Sequence, residues 1–138
     1  MVEEWDGLLH LGQPEMDLEH QGQVDLLTAF EAELRGPADI VQLTRLLDHL
    51  ADFTSVHFMS EQLLMRRHAY PAIAAHEFEH GRLMEQMGKL QASFRSGDRD
   101  LTLTDLVTLR DWVAEHIRTQ DVALSLYLAR ADGEGEEA

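Results

Sequence analysis

A chain of 138 residues with 44% apolar side chains has material for one domain with a buried core, and no apolar run approaches the roughly 20 residues that span a bilayer. Its 26 acidic against 11 basic residues give a formal charge of −15, which repels nucleic acid and anionic membrane surfaces. With no cysteine there is no disulfide or thiolate site, so a bound metal needs nitrogen and oxygen ligands, and eight histidines stand out against that background.

Residues 1–16, with Gly7, Gly12 and Pro14, read as an N-terminal arm. The start from Met1 to Trp5 is acidic where a signal peptide is basic, which fits a cytoplasmic protein. The first helix is expected over 17–35, with His20, Gln23, Leu27, Phe30 and Leu34 on its inward stripe, ending at Gly36 and Pro37. The second, 38–69, carries Leu43, Leu47, Leu50, Thr54, His57, Glu61 and Leu64 and ends at Tyr70 and Pro71. The third, 71–95, carries Ile73, His76, His80, Leu83, Met87, Leu90 and Phe94 and ends at Ser96, Gly97 and Asp98. The fourth, 103–130, gathers Leu106, Leu109, Val113, His116, Ile117, Asp121 and Leu124 on one broad face. Pro37 and Pro71 suit first-turn positions, and Thr102 with Asp105 resembles a capping box. Residues 132–138 are polar, acidic and glycine-containing, the composition of a disordered tail. Short connections make neighbours antiparallel, so the expected fold is all-α: one domain over 1–131, an up-down-up-down antiparallel four-helix bundle with an N-terminal arm.

In such a bundle the starts of helices one and three lie beside the ends of helices two and four. His20, His76 and His80 come early in their helices, His57 and Glu61 late, and His116 and Asp121 past the middle. At about 1.5 Å of rise per residue, all seven fall in a band one to two turns deep. His57 and Glu61, like His76 and His80, are i, i+4 pairs on one face. His116 and Asp121 are five apart, which turns Asp121 about 140° around an ideal helix, so a bridging position or a local distortion is required. Five imidazoles and two carboxylates exceed what one tetrahedral zinc takes from a protein and suit two octahedral ions with shared carboxylates. A lone histidine on an apolar stripe is usually a hydrogen-bonded core residue. Seven converging polar groups are different, because buried carboxylates are costly unless paired or bound to metal. His10, His49 and His68 read as surface residues. No nucleophilic triad, phosphate-binding loop or thiol motif is present, and no catalytic residue is assigned.

Trp5, Met16-Asp17-x-x-His20, His57-Phe58-x-x-Glu61 with Met65, Tyr70-Pro71 before His76-x3-His80, and Trp112-x3-His116-Ile117-x3-Asp121 form an ordered set over four helices. This set resembles the hemerythrins, the bacterial ones in particular. The resemblance implies two iron ions with an oxo or hydroxo bridge: His76, His80 and His116 would hold one, His20 and His57 the other, and Glu61 and Asp121 would bridge both. It implies reversible dioxygen binding at the less crowded iron, for storage, delivery or sensing, with an unknown protein partner in the last two cases. It also implies a net positive diferric site open to small anions such as azide. Leu27, Phe53, Phe58, Trp112 and Ile117 are candidates for the apolar wall around the ligand, and each also reads as ordinary core packing. Gln23 departs from the family, which usually has leucine there. Its amide either faces the ligand, bonding to it or admitting water and speeding autoxidation, or turns out to solvent.

Other readings compete. Asp17-x-x-His20 and Glu77-x-x-His80 look like the Glu-x-x-His element of ferritin-like oxidases, a reading that leaves His57, His76 and His116 unexplained. The same di-iron bundle could instead serve as a peroxidase or oxidase, or handle iron or nitric oxide. A metal-free interaction bundle is the third alternative.

Overall fold

The computed structural model describes residue 5 and residues 7–137, with side chains through residue 131. After a 3-10 turn at Gly7–Leu9 come α1 (Pro14–Arg35), α2 (Ile40–Arg67), α3 (Ile73–Ser96) and α4 (Arg99–His116). A π-helical turn at Ile117–Asp121 then leads without a break into α5 (Val122–Glu137), so α4 and α5 form the fourth rod of the bundle. Packing of α1 on α2 and of α3 on α4, closed by α2 on α3 and α1 on α4, gives the expected antiparallel four-helix bundle. Among the described residues no helix is long and apolar enough to cross a membrane.

Helix starts differ from expectation where a better cap was available. Proline takes a first-turn position in α1, at Pro14, whereas Pro37 and Pro71 precede helices that begin later, at Ile40 and Ile73. Asp39 caps α2 by accepting from the Val41 N–H. The fourth rod begins four residues earlier than the Thr102/Asp105 box suggests, because the Asp98 carboxylate accepts from the Leu101 N–H at 3.0 Å. Thr102 instead donates to the Asp98 carbonyl, and Asp105 accepts from Ser93 on α3. Gly97, at φ +81°, makes the left-handed turn that lets only two residues separate α3 from α4. At the other end, where a disordered tail is expected from Asp132, the backbone stays helical to Glu137; Ala138 lies outside the described residues.

Two apolar clusters form the interior. The larger unites Val24, Leu27 and Phe30 of α1, Leu43, Leu47, Leu50 and Phe58 of α2, Leu83, Met87 and Leu90 of α3, and Leu106, Leu109 and Val113 of α4; Trp5 and Leu9 fold onto it from the arm. The smaller contains Met16, Met65, Tyr70, Leu124 and Leu128. On α2 the inward residue at this end is Met65, fully buried, in place of Leu64, which is partly buried against the same cluster. Each buried aliphatic or aromatic side chain contributes about 1.5–3 kcal/mol. Along every rod the chain passes from one cluster to the other through histidines or carboxylates.

Candidate metal centre

The polar band between the clusters consists of His20, His57, Glu61, His76, His80, His116 and Asp121, none more than 4% exposed. Regular α-helix suffices to aim five of them. His57 and Glu61 share one face of α2, and His76 and His80 share one face of α3, each pair one turn apart. His20 enters from α1, where Asp17, one turn earlier, accepts from the Leu11 and Gly12 N–H groups and ties the arm to the helix start. His116 and Asp121 need the π turn: the Val122 N–H reaches back five residues to the Ile117 carbonyl, and the extra residue is taken up in one wide turn.

The two carboxylates divide the histidines into two groups. Glu61 Oε1 lies 3.1 Å from His76 Nε2 and 2.9 Å from His80 Nε2, while its Oε2 lies 3.4 Å from Nε2 of both His20 and His57. Asp121 Oδ1 lies 3.2 Å from Nε2 of His76 and of His116, while its Oδ2 lies 2.9 Å from His20 Nε2. Two sets of converging donors result, Glu61, His76, His80, His116 and Asp121 in one and His20, His57, Glu61 and Asp121 in the other, each within 4.8 Å.

This arrangement fits metal better than it fits hydrogen bonding. Nε2 of His20, His57 and His116, Oε2 of Glu61 and both oxygens of Asp121 are buried and have no hydrogen-bond partner, although several face one another at hydrogen-bond distance. They are close but not aligned, so they aim at shared points between them. Metal bonds of about 2.1 Å at right angles separate neighbouring ligand atoms by about 3.0 Å, at the short end of the 2.9–3.4 Å found. Leaving so many buried polar atoms unsatisfied would cost about 1–3 kcal/mol each.

In the metal-free chain, protons partly take the place of cations. Burial pushes His20 and His76 down, but the facing Asp121 and Glu61 carboxylates outweigh it and raise His20 to about 10 and His76 to about 9. Burial prevails at His80, which is lowered despite Glu61, with His116 and His76 also opposing its charge. Burial and mutual repulsion push Glu61 up, yet His20, His76 and His80 hold it below the usual carboxylate range. Burial likewise opposes ionisation of Asp121, and His116, His20 and His76 hold it well below that range.

Around this band, Phe58 stacks on the His80 ring with centroids 4.0 Å apart and planes 8° from parallel, and it also touches the rings of His57 and His116. Ile117 and Leu27 are buried in the larger apolar cluster, and Gln23 faces inward, 2% exposed. Two expected wall residues are set further out, Trp112 in a surface pocket that it lines with His116. Phe53 is half-buried, its ring against Gly22 on α1. Trp112 is 37% exposed, with the Arg82 guanidinium 4.7 Å from its ring centre, because the turn of α4 that buries Val113 and His116 carries position 112 outward.

Asp17 and Glu77, the acids of the ferritin-like reading, stand outside the cluster: Asp17 holds the arm, and Glu77 accepts from Arg66. Glu19 was not singled out from sequence. Its Oε1 lies 3.1 Å from Nδ1 of His57, and the adjacency to His20 is the only sequence signal that could have drawn attention to it. A surface pocket of about 200 Å³ lined by Glu15, Met16, Glu19, Ser60 and Arg67 reaches Glu61.

The profile of the Hemerythrin HHE cation binding domain matches residues 11–125. A bacteriohemerythrin of Methylococcus capsulatus is 32% identical over 80 residues, covering 58% of this chain and 61% of that relative. One from Ralstonia nicotianae is 27% identical over 136 residues, 99% of this chain and 96% of the relative. Myohemerythrin-1 of Phascolopsis gouldii is 27% identical over 117 residues, 85% and 87% of the two chains. A crystal structure of wild-type hemerythrin superposes with a TM-score of 0.74 at 26% identity, covering 83% of this chain and 88% of that one.

Proposed function

The chain belongs to the hemerythrin family, and from that premise we propose that it binds dioxygen reversibly at two iron ions held by His20, His57, Glu61, His76, His80, His116 and Asp121. The matched domain binds cations, and the buried histidine and carboxylate cluster is of di-iron type. The relatives are hemerythrins rather than enzymes, which favours carriage over turnover. The observation that carries the reading is the splitting of both carboxylates, one oxygen of Glu61 and of Asp121 turned to each group of histidines.

His76, His80 and His116 would hold one ion, His20 and His57 the other, with Glu61 and Asp121 shared. When bound, the irons supply the electrons and the coordination position that dioxygen requires. The chain's own residues do the rest. Glu19 holds the His57 ring with Nδ1 outward and Nε2 aimed at the cluster. Phe58, Ile117 and Leu27 provide apolar cover, an apolar cluster lies at each end of the band, and the surface pocket reaches it at Glu61. Small anions such as azide are further ligands of the oxidised site, and storage, delivery and sensing are the uses this chemistry serves.

The test is to load the protein with iron, reduce it without air, then admit oxygen while recording the visible spectrum and iron per chain. Two irons and an absorption band that comes and goes with oxygen support the proposal. Two irons with rapid consumption of oxygen or peroxide and no such band would favour a peroxidase or oxidase on the same bundle. A chain that takes up no metal would overturn the reading.

A further inference from the structure

Most buried polar side chains outside the metal centre have structural work. Glu31 is clamped by Arg35 and Arg110, Gln86 bonds to the Asp105 carbonyl, and Thr102 and Ser125 bond back into their own helices. Gln23 and Thr54 do not fit that pattern. They are 2% and 1% exposed, on different helices, and bonded to each other, Gln23 Nε2 donating to Thr54 Oγ1 at 3.2 Å. Burying an amide and a hydroxyl for one mutual bond gains little over an apolar pair of the same size.

Their place in the bundle suggests what else they do. Gln23 follows His20 by three residues on α1, and Thr54 precedes His57 by three on antiparallel α2, so the polar pair lies one turn beneath the two-histidine half of the centre. That half has one imidazole fewer than the other while sharing the same two carboxylates. It is therefore the half with room for an added ligand. Val24, Leu27, Leu50 and Phe58, buried in the larger cluster on the same two helices, are apolar and bear no donor. The amide of Gln23 has two N–H groups, of which the Thr54 bond uses one.

We propose that Gln23, oriented by Thr54, is a specificity-determining residue of the ligand pocket, its amide donating a hydrogen bond to small anions that enter on the His20/His57 side. The inference rests on the di-iron reading above. A donor to a charged acceptor in an apolar setting strengthens binding of an anionic ligand. Gln23 favours ligands that carry negative charge, and Thr54 is a positioning residue acting through it.

The experiment is azide titration of the oxidised, iron-loaded full chain, comparing wild type with Gln23→Leu, Thr54→Val and the double variant. Iron per chain and the melting temperature of each metal-free variant are recorded alongside, and Gln23→Met, which keeps the length without the donor, stands in if Gln23→Leu does not fold. The expected result is two irons per chain throughout, azide binding weakened about tenfold or more by either Gln23 substitution, a smaller loss for Thr54→Val, and no further loss in the double variant. Equal or tighter azide binding without the amide, or fully additive losses in the double variant, would overturn the proposal while leaving the di-iron reading intact. A wild-type chain that fails to hold two irons would overturn both, and one that holds them and binds no azide would overturn this proposal alone.

Discussion

His116 and Asp121 are separated by five positions, yet Nε2 of one lies 3.2 Å from Oδ1 of the other. An ideal helix would set them about 140° apart. The π turn at Ile117–Asp121 brings them together and also returns Leu124 and Leu128 to the smaller apolar cluster. A single extra residue in one turn thus sets the face on which Asp121 and the rest of the rod project.

The turn can be tested by removing that residue. Deleting exposed Thr119 should restore a continuous α-helix with α5 still in register, so the metal-free protein keeps or gains melting temperature. Asp121, then one α-helical turn from His116, would keep its place between the two groups of histidines, and iron per chain should stay at two. A deletion variant that folds but loses iron would show that the wide turn itself, and not only the register it sets, is needed to place the carboxylate.

Glu19 offers a second test, because it is the partner of the outer nitrogen of His57. Glu19→Ala should weaken metal binding about 10–100-fold, the usual cost of losing such a partner. The loss should concentrate on one ion of the two, since His57 belongs to the smaller donor set. Competition against a chelator, followed by iron content, would read this; parallel loss of both ions would point to a general defect instead.

The metal-free protein should respond to pH in a defined direction. His20 at about 10 and His76 at about 9 stand above the ordinary 6.5, burial being outweighed by Asp121 and Glu61. Their stabilisation is fully present below about pH 6.5 and is lost as pH rises through about 9 and 10. Glu61 and Asp121 are shifted the other way, so theirs is present above the ordinary carboxylate range and lost as pH falls through their lowered values. His80, lowered chiefly by burial, opposes stability as pH drops below 6.5. Melting temperature should therefore decline between about pH 7 and 10 without metal, and much less once iron replaces the protons. A flat alkaline profile for the metal-free chain would contradict this assignment.

Gly22 should resist substitution even though it sits inside a helix, where alanine is ordinarily preferred by about 1 kcal/mol. An ideal Cβ there would lie 2.5 Å from Cζ of Phe53. Gly22→Ala must displace the Phe53 ring, at about 1–3 kcal/mol, so the net change expected is a loss of up to about 2 kcal/mol. Urea denaturation would measure it, and a stabilised variant would mean that the ring swings aside freely.

The number of helices, their order and the seven polar residues of the centre were all legible in the sequence. The reason is periodicity: i, i+4 spacing fixes which residues share a face, and short connections fix which ends meet. Even the distortion between His116 and Asp121 could be anticipated, since five positions do not fit a regular turn. What tertiary structure decided was everything that depends on the rotation of one helix against another. Trp112 shares a stretch of helix with His116 yet faces outward under Arg82, and Gln23 turns inward because Thr54, thirty-one positions away, offers it a partner. Glu19 could not be assigned to His57 from spacing, because the contact crosses from α1 to α2. Helix limits also moved wherever competing caps were in play, as when Asp98 took the start of the fourth rod from Thr102. Local spacing determines faces; only packing determines what those faces meet.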